Sequence, residues 1–453
     1  MERHNTDARV AALGSATFGR RTLFAGLGVA GLLALAGCSI GSRPSPVTAG
    51  SVSLSMWTHD PSYVEAFTRA ATDKVLMKGS AFAPTISPVS ADGASLLSRT
   101  ITQAVAGSEG PDLLGIIISE FPRVMKSQMA ENLFVDLNPL IEQAGGNILR
   151  TADYSVDGKT YALESDTSIS VFYYRADEFE RLGIDSRLAT WEEYLEVGGA
   201  VFAETGQSIG MVSNGDNTSI YNSFLQYLLQ RGGSPFDESG ELTIDTDEAA
   251  DVLEFMATGV ENGSLMVIGD PYGSAAASAL KSSTLIGTVM PSWYNVYGLQ
   301  ANAPEQAGSW RMRTLPRFAS GGHIASMSGG TGFAVGVNSA NREAALDLLR
   351  RIYLTREGQL LRYEIGGYLP TMPELYDAPE FQSIEDEFLG GQRVFETFSE
   401  SANDMPTFYQ SATAQQLSVA MGAPLLDLYS GKKNPAQVIE ASIAAYKQQT
   451  RQA

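Results

Sequence analysis

The side chains able to do chemistry are few and unevenly spread. The single cysteine, Cys38, closes the run Leu35-Ala36-Gly37-Cys38, so neither an internal disulfide nor a thiolate metal cluster is open to the chain. Of the three histidines, His4 lies in the N-terminal segment; His59 and His323 are too few for a His-rich metal site or a compact zinc-hydrolase motif. No G-x-S-x-G elbow and no G-x-x-x-x-G-K-[ST] phosphate loop occurs. Asp237 to Asp245 (DESGELTID) has the acidity of a calcium loop but lacks its ligand spacing and terminal bidentate Glu, and reads as an acidic turn. No metal and no cofactor is therefore expected. What remains is a set of aromatic, carboxylate and amide side chains at the ends of apolar runs. Such groups suit stacking and directional hydrogen bonding.

The N-terminus is an address. Arg20-Arg21 precede an uncharged run from Thr22 to Gly37, the pattern of a secretory signal, and Arg20-Arg21-Thr22-Leu23-Phe24 is an imperfect twin-arginine export motif. Leu35-Ala36-Gly37-Cys38 resembles the lipobox of bacterial lipoproteins, which implies cleavage after Gly37 and a lipid on Cys38. The competing reading, an uncleaved membrane helix, fits less well: the run falls short of the about 20 apolar residues that a bilayer needs. Ser39–Gly50 is small, polar and Pro-containing, as a flexible tether would be.

Met1–Gly37 holds four arginines and two acidic residues, so the rest of the 453-residue chain carries 27 basic and 49 acidic side chains, a formal charge of −22. Nucleic acid, bound by Lys and Arg neutralising phosphates, is a poor match, and so is direct adhesion to anionic lipid. Solubility is the plain meaning of such a charge. The remaining length suits two large lobes better than one core.

The elements that must position these groups alternate. Val52–Met56, Ala83–Ser87 and the buried run Leu113–Ile118 read as strands, with amphipathic stretches at Ser62–Leu76 and Ala94–Ala106 between them. That order predicts an α/β sheet with helices on both faces. Asp157-Gly158 signals a hairpin turn, and Thr190-Trp-Glu-Glu193 a capping box opening a helix to about Thr205. Further helices are expected at Asp245–Val260, Arg342–Tyr353, Ala412–Tyr429 and from Pro435, and strands at Ser168–Tyr174, Leu285–Met290 and Phe333–Val337.

Taken in order, several short motifs resemble the extracellular solute-binding protein family 1, the maltose-binding-protein-like receptors of ABC importers. They are Gly110-Pro-Asp-Leu-Leu114, Glu131-Asn-Leu-Phe-Val-Asp-Leu-Asn-Pro-Leu140, Asp157-Gly-Lys-Thr-Tyr-Ala-Leu163, Val171-Phe-Tyr-Tyr-Arg-Ala-Asp-Glu-Phe179 and Gly367-Tyr-Leu-Pro370. Glu164 stands where the family usually has proline, and Tyr174-Arg175 replaces a common Asn-Lys. The resemblance implies a two-lobed periplasmic-binding-protein-like α/β fold of type II, with ligand held between lobes joined by crossing segments. Lobe one would comprise 51–119 and 330–385, and lobe two 120–329 and 386–453. It further implies a monomeric receptor, not an enzyme, that closes on a small molecule, most simply a carbohydrate, and hands it to the transmembrane subunits of a permease. The lipid would be its only membrane contact. A receptor for a polyamine or peptide, or an anchored glycoside hydrolase, are the alternatives; the hydrolase would need a carboxyl pair about 5–9.5 Å apart.

A sugar presents hydroxyls at its rim and C–H groups on its faces, so its site needs flat aromatic rings beside carboxylates and amides. Trp57, following the first strand with His59 and Asp60, is read as cleft lining, against a packing role. Glu120 ends the strand Leu113–Ile118 and is balanced between ligand contact and a helix-dipole partner. By the resemblance, Asp166 and Thr167 match the family's binding loop, and Trp293 with Tyr294 the position of a stacking tryptophan. Tyr368 and Tyr409 are even choices between cleft and core. Gly330, with Gly329, could offer backbone N–H groups or merely turn the chain. Asn214 and Asp216 are weaker hydrogen-bonding candidates. Trp191 and Trp310 are assigned to packing and surface roles.

Overall fold

The computed structural model describes residues 45–126 and 128–451; the expected signal, the lipobox with Cys38 and most of the tether lie outside the described residues. The chain first builds a mostly parallel sheet. Strand β1 (Gly50–Thr58) leads into helix α1 (Pro61–Thr72), β2 (Phe82–Ser90), α2 (Gly93–Val105) and β3 (Leu113–Ile117). Asp60 and Asp92 each start a helix by accepting a backbone N–H at 2.8 Å, from Ser62 and Ser95 respectively. Each helix carries the chain back so that the next strand can lie parallel, and β2 and β3 flank β1 on its two sides.

The chain next adds the short β4 (Leu163–Glu164) and then passes into a second sheet centred on β5 (Ile169–Arg175). Helix α3 (Trp191–Thr205) opens with the expected reciprocal capping box of Thr190 and Glu193. Strand β6 (Gly210–Ser213), helices α4 (Asn217–Arg231) and α5 (Asp247–Glu261) and strand β7 (Leu265–Ile268) follow, with β6 and β7 parallel. Strands β8 (Gly287–Pro291), β9 (Trp310–Arg313) and β10 (Ser326–Met327) all run antiparallel to β5. The chain then returns to the first sheet as β11 (Thr331–Val335), which lies between β3 and β4. Helices α6 (Arg342–Tyr353) and α7 (Arg356–Gly366) cover that sheet, and α8 (Ala414–Tyr429) and α9 (Pro435–Thr450) pack on the second. None of the helices among the described residues is long and apolar enough to cross a membrane.

The two-lobed α/β architecture is as expected, but the places where the chain changes lobe are not. Phe121, Leu133, Leu137, Tyr154 and Tyr161 are buried with the strands of the first sheet, so 120–164 packs there and not with the second lobe. Leu369, Leu375, Tyr376 and Phe381 are buried with Ile169, Val171 and Trp310, so the chain after about 368 packs with the second sheet and not the first. The crossings accordingly run from Glu164 to Ile169, from Met327 to Thr331, and through Gly367–Thr371. Trp310 is fully buried, and its indole N–H donates to Gln306; it has no surface role.

Candidate ligand-binding site

Two hollows, holding about 780 and 740 Å³ of space between atoms when their mouths open to solvent are included, meet where Asn222, Gln226, Ser328 and Gly329 line both. Their walls come from the chain after β3, from α4, from the loops after β7 and β8, and from the crossing between β10 and β11. Open α/β sheets place ligand sites at strand ends and at the junctions between units in this way.

Trp293 emerges two residues after β8 and is half-buried in the smaller hollow. Its ring stacks on that of Tyr272, with centroids 5.7 Å apart and planes inclined by 26°. Tyr272 is 40% exposed, so the pair presents an aromatic surface to the hollow. Tyr294 faces the other way: it is fully buried, and its hydroxyl donates to the Pro271 carbonyl at 3.0 Å, fixing the loop that carries Tyr272. Asp270 accepts the Tyr272 N–H through one oxygen at 2.9 Å and is otherwise exposed. Among the described residues the Asn222 amide has no hydrogen-bond partner, which leaves it open to a ligand. This wall therefore combines stacking faces with available polar groups.

The floor is built differently. Arg150, whose side chain is 5% exposed, pairs with Asp153 at 2.7 Å and faces Glu164 at 3.6 Å. The same guanidinium donates to the carbonyls of Asp166 and Thr167 on one crossing and of Gly329 on the next. Asp166 accepts the Leu369 N–H at 2.8 Å, and the Thr167 hydroxyl donates to the Pro370 carbonyl at 2.5 Å, which ties in the third crossing. Arg362 donates to the Ser165 carbonyl. Glu164 accepts the N–H groups of Ser165 and Thr331 at 3.0 and 2.9 Å through one oxygen, while its other oxygen is buried without a hydrogen bond. Burial pushes the Glu164 carboxyl up to about 7, against the pull of Arg150 and with the help of Asp153 and Asp166. Burial also raises Asp166, opposed by the N–H groups of Ser168 and Leu369. Gly330 has φ +135°, and a Cβ there would lie 2.6 Å from Glu164 Oε2, so glycine is needed for the crossing to pass this carboxyl.

Of the residues singled out in the sequence, Glu120 and Trp293 line the hollows, as does Gly329 beside Gly330. Glu120 is held by Arg123 at 2.7 Å. Trp57 is only 4% exposed; α2 packs over it, and the Arg99 guanidinium sits 4.3 Å from its ring centre, so it is a core residue and not cleft lining. Asp166 and Thr167 are 1% and 0% exposed, spend their bonds on the crossings and line neither hollow. Tyr368, 2% exposed, stacks on Tyr63 and donates to Asp60 at 2.9 Å, which withdraws both Tyr368 and Asp60 from the cleft. His59 lies edge-on to Tyr63, and burial lowers its pKa. Asn214 is exposed, and Asp216 caps α4 through the N–H groups of Thr218 and Ser219; neither lines the hollows. Tyr409 is half-buried, and its neighbours Phe408 and Gln410, not it, line the larger hollow.

Sequence reasoning missed Tyr272, Asn222 and Gln226. Asn222 and Gln226 lie on α4, which is buried on several faces (Ile220, Tyr221, Phe224, Tyr227, Leu228) and so shows no single apolar stripe. The cap at Asp216-Asn-Thr-Ser was its visible signal. Among the described residues no group of three His, Cys, Asp or Glu side chains could hold a metal ion.

The family model of the bacterial extracellular solute-binding proteins matches residues 63–387. The chain belongs to this family. Membership places its folded part outside the cytoplasm. An arabinooligosaccharide-binding protein of Halalkalibacterium halodurans is 29% identical over 298 residues, 64% of this chain and 65% of the relative. The lactose-binding protein of Rhizobium radiobacter is 25% identical across 91% of this chain and 94% of its own. Both relatives are binding proteins by name. Among solved structures, the ABC-transporter-associated binding protein of B. animalis subsp. lactis Bl-04, in complex with beta-1,6-galactobiose, superposes with a TM-score of 0.69 at 19% identity, covering 88% of this chain and 98% of that one. That likeness establishes the shared fold.

Proposed function

We propose that this solute-binding protein captures a carbohydrate between its lobes and delivers it to an ABC permease, making and breaking no covalent bond. The carrying observation is the Trp293–Tyr272 surface beside the unpartnered Asn222 amide and the exposed Asp270, a pairing of flat apolar faces with directional acceptors and donors that suits a sugar ring. The names of the relatives, which bind an arabinooligosaccharide and lactose, point the same way. Ligand bridging both lobes favours the closed form through its greater number of contacts there, and this difference drives closure. The chain acts as a monomer, and a lipid on Cys38 holds it at the membrane.

Thermal-shift screening of the full-length protein against mono-, di- and trisaccharides, with polyamines and short peptides in the same plate, tests the reading. A sugar that binds only the native state raises the melting temperature. A shift with a saccharide that disappears in Trp293→Ala supports both ligand class and site. A shift with a polyamine or peptide alone overturns the carbohydrate, and sugar released from an oligosaccharide overturns the receptor.

A further inference from the structure

The larger hollow opens from the smaller one at Asn222, Gln226, Ser328 and Gly329, yet its walls are of another character. Tyr221, Leu225, Leu229, Phe236, Met327 and Phe408 line it from the second lobe, and Ile118 and Pro122 face them from the first. Several of the polar side chains among its walls are already engaged. Arg150 is saturated by Asp153 and three carbonyls. Glu120 is paired with Arg123, and Gln410 donates to the Ile118 carbonyl at 3.1 Å. Gln226 accepts from the Ser170 hydroxyl at 2.9 Å, and Ser418 donates to the Asn217 carbonyl at 3.2 Å. Thr218 and Gln415 are exposed at the mouth, and Asn222 and Ser328 belong equally to the aromatic hollow, so the Ser119 hydroxyl, the Tyr221 hydroxyl and the second oxygen of Glu120 are the polar groups left to this one.

A hydroxyl-rich ring buried against the apolar side chains here would leave hydroxyls without partners while losing their water, a cost at every unpaired group. An apolar group would instead remove the mostly apolar wall from water, and only the few polar groups left at its edge would need to keep theirs. We infer that the larger hollow is a specificity subsite for an apolar substituent of the glycan, an aryl or acyl group, whose sugar ring rests on Trp293 and Tyr272. This rests on the carbohydrate reading above and narrows it: the preferred ligand is a glycoconjugate with one hydroxylated and one apolar end.

Calorimetric titration of the full-length protein with matched methyl and p-nitrophenyl glycosides of arabinofuranose, galactose and lactose tests it. With the sugar that binds, the p-nitrophenyl glycoside is expected to bind about tenfold or more tighter than its methyl partner, because the ring buries additional apolar area. Leu225→Asn and Phe408→Ser alter half-buried wall positions and should each cut that advantage to about threefold or less while leaving the methyl glycoside within about twofold of wild type, which also shows that the variants are folded. Trp293→Ala should weaken both glycosides alike. Equal affinity for the two glycosides in the wild type, or an aryl advantage untouched by both wall variants, overturns the inference and leaves the carbohydrate reading standing. Binding of neither glycoside for any of the sugars, beside a thermal shift with a polyamine or peptide, overturns both.

Discussion

Ser292 and Trp293 are neighbours in the chain and belong to two different regions. The Ser292 hydroxyl donates to Asp166 at 3.4 Å inside the hinge, whereas the Trp293 ring stands in the cleft against Tyr272. In the hinge, Arg150, Asp153, Asp166 and Thr167 direct their bonds at the protein itself, across all three crossings. In the cleft wall, the Asn222 amide and one oxygen of Asp270 are left over. The comparison teaches that an acidic residue between two strands is a ligand contact only if folding leaves it unspent, and burial decides which it is.

Arg150→Met should separate the regions most forcefully. It leaves Asp153 and Glu164 as buried carboxyls without their cation and releases the carbonyls of Asp166, Thr167 and Gly329. Breaking one partner of a buried pair costs about 3–5 kcal/mol. Urea denaturation should show that loss; a variant that binds poorly yet unfolds like wild type would dissolve the distinction between hinge and wall.

Trp293→Ala should do the reverse. The residue is half-buried, so stability should change by about 1 kcal/mol or less. Loss of the stacking face should weaken binding of the saccharide found in the thermal screen about 10- to 100-fold. Calorimetry beside the same urea curves gives both numbers, and a melting temperature that collapses with the affinity would make Trp293 a structural residue.

Trp57 and Trp293 show how far the sequence could be read. Both follow an apolar strand and both stand near a polar loop, so their local signatures are alike. Their fates differ because β1 is flanked by strands on both sides and roofed by α2 and Arg99, which only the assembled sheet reveals. The strands and helices themselves were legible, since the capping box at Thr190 and the turn at Asp157-Gly158 are local rules that folding obeys. The lobe changes were not, because nothing local marks that Phe121 to Tyr161 pack back onto the first sheet. Tyr272 was invisible for the same reason: its partner ring lies 21 residues further along the chain.

Glu164→Gln sharpens the hinge side with pH. In the folded chain the carboxyl titrates at about 7, whereas an unperturbed glutamate titrates at about 4.3. Between those values the folded state holds a proton that the unfolded state has released. Its contribution to stability is therefore complete below about pH 4.3 and lost as the pH rises through about 7. Glutamine imitates the protonated form and keeps an oxygen for the N–H groups of Ser165 and Thr331. The variant should gain on wild type by on the order of 1–3 kcal/mol as the pH is raised from about 5 to 8. The difference curve isolates Glu164 from Asp153 and Asp166, which burial also raises; a flat difference would mean that the carboxyl is already ionised in the acid range.

Tyr409→Ala should do least. Phe408 and Gln410 line the larger hollow and Tyr409 between them does not. The Tyr409 hydroxyl makes no hydrogen bond among the described residues, so its removal strands no partner. Affinity for the bound saccharide should stay within about twofold of wild type by calorimetry. A loss of about tenfold would mean that the segment rotates when the lobes close and brings Tyr409 onto the ligand, and the wall would then extend to a residue that this conformation turns away.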